Sequence, residues 1–382
     1  MGERRSSMEG LEVMVRNIFS DAFRGKDVLI TGHTGFKGGW LALWLESLGA
    51  KVTGYSLDPP TEPSFFESVG LKEKVFHIKG DIRDLDHLTK VVAQQRPEYV
   101  FHLAAQPLVR RSYRIPIETF EVNVMGTLNV LESIRRSQSV MACLCITSDK
   151  CYENQEWVYA YRENDSMGGH DPYSASKGAA ELAISSYRRS FLNPGCGSRL
   201  SISSARAGNV IGGGDWAEDR IIPDCVRAIT SGKAIQIRNT QAIRPWQHVL
   251  DPLSGYLTLA ARMGQEAERF SGAWNFGPLG ANSITVERLV DDFIKEWGPG
   301  RREKASAHRE VEPHEASILR LDCTKANSLL GWLPVYSISK SIKETASWYR
   351  AFYSGEANMY DFTIDQIKSY DAWSRKVVAE SS

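Results

Sequence analysis

Short apolar runs alternate with amphipathic stretches along the first 205 residues of the chain. Each run is rich in valine, isoleucine, leucine or aromatic residues and is short enough to form a fully buried strand. Strands are predicted at Asp27–Thr31, Lys51–Tyr55, Val75–Lys79, Tyr99–Leu103, Val140–Thr147 and Leu200–Ala205. Because helical patterns lie between these runs, the repeated strand–helix–strand units predict an α/β fold with a doubly wound parallel sheet.

The pattern changes after residue 206, where glycine and proline become frequent and the regular alternation stops. We therefore predict a sheet-forming domain at residues 23–205 and a smaller, loop-rich region at residues 206–350. Loops on a rigid scaffold concentrate binding residues, so the second region is expected to bind mainly the substrate. Residues 1–22 read as an N-terminal extension and residues 351–382 as a polar tail, and neither pattern indicates a function.

Charge balance and cysteine pattern exclude several classes of protein. The chain has 46 basic residues (lysine and arginine) and 46 acidic residues (aspartate and glutamate), so its net charge is zero. It therefore lacks the excess of basic residues that is typical of a nucleic-acid-binding protein. No apolar run reaches the roughly 18 residues of a membrane span. The six cysteines form no C-x-x-C pair and no zinc-type cluster, so we expect no metal and a reduced, cytoplasmic protein.

A glycine-rich turn joins the first predicted strand to the first helix. Glycines permit a tight turn and a close backbone approach, and a helix N-terminus attracts a pyrophosphate. Because this turn lies between a strand and a helix, it predicts a Rossmann-type dinucleotide site rather than a structural loop. Cofactor contacts are expected from Gly32, His33, Thr34, Gly35, Phe36, Lys37 and Gly38, although His33 could equally be structural.

The residues after the second strand favour NAD over NADP. Residues 54–59 contain no lysine or arginine that could bind a 2′-phosphate. Asp58 lies 20 residues after Gly38, where a carboxylate can accept a hydrogen bond from a ribose hydroxyl. The alternative is that Asp58 only begins a proline-rich turn.

Tyr173 and Lys177 share one face of the helix predicted to begin at Pro172, because residues four apart lie on the same side of a helix. An ammonium beside a phenol favours the phenolate, so we expect Lys177 to lower the pKa of Tyr173. Such a tyrosine could take a proton from a sugar hydroxyl while a hydride leaves the same carbon. A solvated helix face is the alternative, but the position behind a glycine turn favours catalysis.

The chain resembles the extended short-chain dehydrogenase/reductase family over about residues 24–350, because it carries five of the motifs of that family in the same order. Besides the glycine turn and the Tyr173/Lys177 pair, they are Gly80–Asp84, His102–Gln106 and Asn123–Thr127. The resemblance implies that NAD is bound by further residues on the adenine side and along the cofactor. These residues are Asp81, Ile82, Leu103, Ala104, Ala105 and Asn123, together with Tyr173 and Lys177.

Residues 146–154 and 168–173 narrow the resemblance to nucleotide-sugar 4,6-dehydratases, and within these to a CDP-glucose branch. The resemblance implies that Asp149 is the acid that protonates the departing C6 hydroxyl. It also implies that Ser148 hydrogen-bonds the C4 oxygen. His170 could orient the loop before Tyr173 or touch the substrate.

Lys150 stands where related dTDP-glucose enzymes carry the glutamate that removes the C5 proton. A neutral Lys150, with a pKa depressed by burial and by Lys177, could take that proton. A charged Lys150 could instead stabilise the enolate while another group acts as the base. A surface ion pair with Asp149 is the non-catalytic alternative.

The resemblance implies a nucleotide-sugar substrate, either CDP-glucose or another NDP-hexose, and a homodimer formed through helices around residues 117–135 and 173–189. Substrate contacts are expected from Gln106, Asn209, Arg220, Arg244 and His314. An arginine fork suits two phosphate oxygens. No residue reports the nucleotide base by itself. The alternatives are a nucleotide-sugar 4-epimerase, a GDP-mannose dehydratase and a non-catalytic NAD-sensing regulator.

Overall fold

The computed structural model describes residues 21–191, 200–278, 283–304 and 319–380, without the side chains of residues 378–380. Strands in these segments are numbered in chain order. They are β1 (Asp27–Thr31), β2 (Lys51–Ser56), β3 (Phe76–Lys79), β4 (Tyr99–His102), β5 (Ala142–Ile146), β6 (Ser201–Ala207), β7 (Val210–Ile211), β8 (Ile235–Ile237), β9 (Ile243–Pro245), β10 (Gln247–His248), β11 (Gly272–Phe276), β12 (Ser283–Thr285) and β13 (Arg302–Lys304).

Helices surround these strands, and three short turns of other helical type lie between them. The α-helices are α1 (Phe36–Ser47), α2 (Phe65–Ser68), α3 (Leu85–Gln95), α4 (Val109–Arg114), α5 (Pro116–Phe120), α6 (Gly126–Arg135), α7 (Pro172–Ser190), α8 (Ile221–Thr230), α9 (Leu250–Gln265), α10 (Ala267–Phe270), α11 (Val286–Trp297), α12 (Thr324–Leu330), α13 (Ile338–Ser354) and α14 (Met359–Glu380). The other turns are 3₁₀ at Leu71–Glu73 and Asp149–Cys151 and π at Glu121–Met125.

Seven parallel strands form the central sheet, in the order β11-β6-β5-β4-β1-β2-β3. The strand order reverses between β1 and β4. In a sheet of this kind the crevice beyond the carboxyl ends at that point is where ligands bind. The predicted doubly wound α/β fold is confirmed.

All six predicted strands occur, with small differences at their ends. Strand β5 pairs with β4 over residues 142–145 and with β6 over residues 142–146, so Val140 and Thr147 lie outside the strand. The β6 strand continues to Ala207 because its last residues pair with β11. That partner comes from the region after residue 206, so the pattern of the first 205 residues could not indicate it.

Two apolar clusters cover the two faces of the sheet. Along β1, Val28 and Ile30 belong to one cluster and Leu29 to the other, as the alternation of side chains along a strand requires. Both faces are therefore buried, which explains why the strands read as continuous apolar runs.

The chain after residue 206 forms short two-stranded ladders and then returns to the central sheet at β11. The tail forms α14, where the Tyr370 hydroxyl donates to Asp251 Oδ1 at 2.9 Å. The division at residue 205 stays a prediction. Within the described segments, every helix is too short or too polar to cross a membrane.

Candidate functional site

The glycine turn has the shape of a cradle that larger residues would fill. Gly32 has φ +82°, and a Cβ there would lie 2.6 Å from the Ala104 nitrogen. A Cβ on Gly38 would overlap the Gly32 carbonyl oxygen. Gly35 caps α1 without a side-chain hydrogen bond, so no side chain satisfies the first amides of this twelve-residue helix at its cap. The turn therefore fits a dinucleotide diphosphate, as predicted.

The side chains of the turn point elsewhere. His33 is buried, its Nε2 lies 2.8 Å from His77 Nδ1, and burial lowers its pKa to about 3. Thr34 Oγ1 lies 2.7 Å from Ser56 Oγ, and Phe36 packs against the core. These three side chains are engaged by the fold, and the predicted cofactor contacts of His33, Thr34 and Phe36 stay predictions that their backbone could meet.

Lys37 leaves the turn in the direction of the candidate catalytic groups. Its ammonium lies within electrostatic range of Asp149, Lys177 and Arg220, and burial together with Arg220 lowers its pKa to about 8. The sequence predicted a cofactor contact only. The structure adds a cation near Asp149, which motif reasoning missed because position 37 belongs to the glycine motif.

Asp58 forms an exposed ion pair with Lys79, with 2.5 Å between Oδ2 and Nζ. Residues 54–59 contain no basic residue, but the fold places Lys79 beside Asp58. Strands β2 and β3 pair in parallel with Ser56 opposite Lys79, so the end of β3 brings a lysine beside Asp58. Because neighbouring parallel strands end at the same edge of a sheet, the last residue of the next predicted strand was the place to look for a lysine close to Asp58.

The predicted adenine side consists of Asp81 and Ile82. Arg83 Nη2 donates to Asp81 Oδ2 at 2.6 Å, and hydrogen bonds from Arg83 lower the pKa of this carboxylate. Ile82 is buried. Beyond β4, the predicted cofactor-lining residues Leu103, Ala104 and Ala105 are half-buried at the carboxyl end of the sheet.

Gln106 and Asn123 bond to each other and to their surroundings. Asn123 Oδ1 accepts a hydrogen bond from the backbone amide of Gln106 at 2.8 Å, and Asn123 Nδ2 donates to Ser176 Oγ at 2.9 Å. The Gln106 side chain is held by Leu108 and Thr119. These bonds fix both side chains, and Asn123 ties the loop after β4 to α7. The predicted contacts of Gln106 with the substrate and of Asn123 with the cofactor stay predictions.

Ser148 and Asp149 are hydrogen-bonded to each other and lie beside Tyr173. Ser148 caps the 3₁₀ turn that follows β5, and its hydroxyl donates to Asp149 Oδ1 at 3.0 Å. The Tyr173 phenol, at the start of α7, lies close enough to this hydroxyl and to the Asp149 carboxyl for both to influence its pKa. Asp149 is buried, and burial raises the pKa of its carboxyl group. The arrangement brings an acid, a hydroxyl and a phenol together.

Burial dominates the titration of Tyr173. It raises the pKa of the phenol to about 12, while the Ser148 hydroxyl and the Arg220 charge act in the opposite direction. The net direction is therefore opposite to the one expected from Lys177 alone, because burial outweighs the effect of a neighbouring charge. The Lys177 ammonium is buried, lies 3.5 Å from the Ile146 carbonyl oxygen, and has its own pKa lowered to about 8 by burial.

Lys150 lines a cavity of about 170 Å³ beside the 3₁₀ turn, together with Glu153 and His170. The Lys150 side chain is half-buried, which does not fit the alternative of a fully exposed surface residue. His170 is exposed at the same cavity, immediately before the Asp171 cap of α7. The geometry leaves both predicted roles of Lys150 open.

The substrate-side residues occupy different positions in the second region. Arg220 Nη1 donates to Asp215 Oδ2 at 2.7 Å, and the arginine lies within electrostatic range of Tyr173. Asn209 and Arg244 are half-buried, before β7 and within β9. The predicted contact His314 lies outside the described residues.

Sequence reasoning missed a buried ion pair beneath this group. Glu181, on α7, accepts from Arg206 Nη2 at 2.8 Å, and both side chains are 4% exposed. The signal was present, because Glu181 follows Lys177 by four residues on the same helix face. Within the described segments, no three histidine, cysteine, aspartate or glutamate side chains converge as a metal site requires.

Comparison with known proteins gives both family and fold. The family described as GDP-mannose 4,6 dehydratase matches residues 29–345. A CDP-glucose 4,6-dehydratase of Salmonella typhimurium strain LT2 is 51% identical over 336 residues, which cover 87% of this chain and 93% of that protein. A dTDP-glucose 4,6-dehydratase of Bacillus anthracis in complex with NAD has a TM-score of 0.70 at 19% identity and covers 89% of this chain and 100% of its own.

A UDP-glucose-4-epimerase from Stenotrophomonas maltophila with bound NAD is also similar in structure. Its TM-score is 0.73 at 20% identity, with 86% of this chain and 99% of that chain covered. At these identities the two solved structures show the fold alone.

Proposed function

The chain belongs to the GDP-mannose 4,6 dehydratase family, and on this premise we propose that it converts CDP-glucose into CDP-4-keto-6-deoxyglucose and water with NAD as cofactor. The observation that carries the proposal is the contact between Ser148, Asp149 and Tyr173, which places an acid beside a phenolic base. The 51% identity to a CDP-glucose 4,6-dehydratase supports the substrate.

Tyr173 is the group that would take the proton of the C4 hydroxyl. Its high pKa makes the phenolate a strong base, and the Ser148 hydroxyl and Arg220 favour that phenolate. The Ser148 hydroxyl is proposed to hydrogen-bond the C4 oxygen. NAD, when bound, would supply the hydride acceptor for C4 and the hydride donor for C6.

Asp149 is the group that would protonate the departing C6 hydroxyl. Burial raises the pKa of this carboxyl and so favours the protonated form that an acid catalyst needs. The Ser148 hydroxyl holds one carboxyl oxygen, which leaves the other to face the substrate. An epimerase needs no acid at this position, so Asp149 favours dehydration over 4-epimerisation.

Lys150 is proposed to act at C5, as the base or as the cation beside the enolate. It borders the cavity that also contains Glu153 and His170. A Lys150→Met variant distinguishes these roles by deuterium uptake at C5 from heavy water. Loss of C5 exchange together with turnover supports a proton-transfer role. Retained exchange with slower turnover supports charge stabilisation, and unchanged turnover removes Lys150 from the mechanism.

Binding of the nucleotide sugar is proposed to use Asn209, Arg220 and Arg244, with His314 near the nucleotide. Arg220 supports this assignment best, because its charge lies near Tyr173, where the sugar must react. The NAD site fits the cradle formed by Gly32 and Gly38.

A GDP-mannose substrate with NADP is the second candidate, favoured by the family description and by Lys79. Asp58 neutralises that lysine at 2.5 Å, which argues against a 2′-phosphate. A non-catalytic NAD sensor would not need a buried acid beside Tyr173.

Incubation of the protein with CDP-, dTDP-, UDP- and GDP-hexoses tests the proposal through the alkaline absorbance of a 4-keto product. We expect the product from CDP-glucose, no product from the Tyr173→Phe variant, and no 4-epimer. Product from GDP-mannose alone, epimer alone, or no reaction with any sugar would replace the proposal by the corresponding alternative. Full turnover in Tyr173→Phe would contradict the assigned base.

We also propose a homodimer and a reducing, cytoplasmic environment. Ile117 on α5 and Leu182 on α7 are 72% and 62% exposed, which is unusual for large apolar side chains. On the same helix α7, Ala180 and Ile184 are buried in the core. Sedimentation should give a dimer that the double variant Ile117→Glu/Leu182→Glu dissociates, and a monomeric natural chain would contradict it. The described cysteines are all free thiols, as a reducing environment predicts.

A further inference from the structure

A buried carboxylate beneath the candidate site joins its two catalytic segments. Tyr173, Lys177 and Glu181 succeed one another at four-residue intervals on α7, and all three side chains are buried. Glu181 therefore continues the catalytic face of the helix into the core. Its carboxylate remains charged there, because Arg206, Thr147 and Ser204 all donate to it and lower its pKa.

Each oxygen of Glu181 accepts one guanidinium bond and one hydroxyl bond. Oε1 accepts from Arg206 Nε at 2.9 Å and from Thr147 Oγ1 at 2.5 Å. Oε2 accepts from Arg206 Nη2 at 2.8 Å and from Ser204 Oγ at 2.7 Å. The carboxylate thus has four donors, and the two hydroxyls occupy matched positions on opposite oxygens.

The two hydroxyls come from different parts of the fold. Ser204 lies in the middle of β6, which the ladders with β5 and β11 already hold. Thr147 lies just beyond the end of β5 and immediately precedes Ser148 and Asp149. Its backbone amide donates to the Ala205 carbonyl oxygen at 2.9 Å, and its side chain makes the bond to α7.

Arg206 links Glu181 to Tyr152, the residue that follows the 3₁₀ turn at Asp149–Cys151. Its Nη1 donates to the Tyr152 hydroxyl at 2.7 Å, and Tyr152 donates to Asn275 Oδ1 at 2.8 Å. The turn that carries the acid is therefore held at both ends, by Thr147 before it and by Tyr152 after it. Both attachments lead to Glu181.

We propose that Thr147 is a positioning residue, whose bond to Glu181 holds the Ser148–Asp149 segment in register with Tyr173 and Lys177. A shift of about 1 Å between reacting groups is enough to cost on the order of a hundred-fold in rate. Thr147 acts through Ser148 and Asp149, and it makes no contact with the substrate itself. The inference rests on the proposed function for its chemistry.

The test compares Thr147→Val with Ser204→Ala. Each variant removes one hydroxyl from the same carboxylate and leaves that oxygen its guanidinium donor, so both are expected to lose similar stability. We expect Thr147→Val to lower kcat by about ten-fold or more with little change in KM, whereas Ser204→Ala changes kcat by less than about two-fold. Thr147→Ser keeps the hydroxyl and is expected to restore most of kcat.

Two further readouts separate positioning from general destabilisation. In a single turnover, displacement of Asp149 slows elimination more than C4 oxidation, so reduced nicotinamide should accumulate in Thr147→Val but not in Ser204→Ala. Amide hydrogen exchange across residues 148–152 should also be faster in Thr147→Val alone. The exchange measurement needs no substrate, so it still tests the positioning role if the natural protein does not act on CDP-glucose.

Equal losses of kcat in Thr147→Val and Ser204→Ala, in proportion to their losses of melting temperature, would overturn the inference in favour of a structural role. Unchanged kcat and unchanged exchange in Thr147→Val would overturn it as well. An inactive natural protein with faster exchange in Thr147→Val would contradict the proposed function and leave the positioning role supported.

Discussion

Gly208 lies directly against the carboxylate of Asp149: a Cβ at position 208 would come within 2.6 Å of Oδ2. The glycine follows β6, whereas the acid follows β5, so the ends of two neighbouring strands meet at the acid. Because Ser148 holds the other oxygen, the space at Gly208 determines where the reactive oxygen of Asp149 can lie.

A Gly208→Ala variant is therefore expected to rotate the Asp149 carboxylate and lower kcat by about ten-fold, with little effect on folding. Steady-state turnover of CDP-glucose measures this. Combined with Asp149→Asn, the alanine should add almost nothing, because both changes act on the same oxygen. Independent, multiplicative effects in the double variant would show that Gly208 acts elsewhere.

The pH dependence of turnover should report Lys177. Burial lowers the pKa of its ammonium to about 8, so the group is charged below that pH and neutral above it. Since the positive charge favours a phenolate at the other end of the same helix turn, kcat/KM is expected to fall as pH rises through about 8. The descending limb should be absent in a Lys177→Met variant, whose residual activity would be low throughout. A limb that persists there would have to come from another group.

The Asp58–Lys79 ion pair predicts a route to altered cofactor preference. An Asp58→Asn variant leaves the Lys79 ammonium without its carboxylate partner, so the 2′-phosphate of NADP gains an attractive charge. We expect the ratio of NADP to NAD affinity to rise by about five-fold, a modest effect because the pair is exposed. Fluorescence titration of cofactor-free protein measures both affinities. The added Lys79→Gln change should abolish the gain, and an unchanged ratio would place the ribose elsewhere.

Asp251 predicts an unusual pH dependence of stability. Burial raises the pKa of this carboxyl from 3.8 to about 7, so the folded state disfavours its ionised form. Its contribution to stability is greatest at low pH and is lost as pH rises from about 4 to about 7. The free energy of unfolding of Asp251→Asn relative to the natural chain should therefore increase by about 1.4 kcal/mol per pH unit across that window.

Denaturant titrations of the two proteins between these pH values measure that difference. The substituted asparagine side chain would keep an oxygen to accept from Tyr370 and the Val335 amide, so the fold should persist. The exposed Asp365→Asn variant serves as the control and should show no such slope. A constant difference between Asp251→Asn and the natural chain would show that Asp251 is already ionised at low pH.

Several site residues could be predicted because the chemistry is contained within short segments. The glycine turn needs only consecutive backbone, and Ser148 and Asp149 follow one strand directly. Tyr173 and Lys177 require only the repeat of a helix. In a parallel sheet the carboxyl ends of strands meet at one edge, so these segments were expected near each other.

The sequence could not show whether other polar side chains turn towards a ligand or towards a neighbouring residue. Gln106 and Asn123 bond to each other's surroundings, and His33 pairs with His77. Their motifs show that a polar residue stands at each position, but they do not show which way it turns. Lys79 lies beside Asp58 because β2 and β3 pair with Ser56 opposite Lys79, and no pattern within either strand indicated that contact.

By itself the sequence determined the elements, the parallel sheet and the phenol–amine pair, because these depend on local periodicity and adjacent positions, whereas the acid was implied by the resemblance to a family. Only the tertiary structure decided how those groups titrate and what holds them. Burial raises the pKa of Tyr173 and lowers that of Lys177, against the expectation from the pair alone. Burial and the Glu181–Arg206 attachment arise from strands and helices distant in sequence, and desolvation in the packed interior outweighs the influence of a residue one turn away.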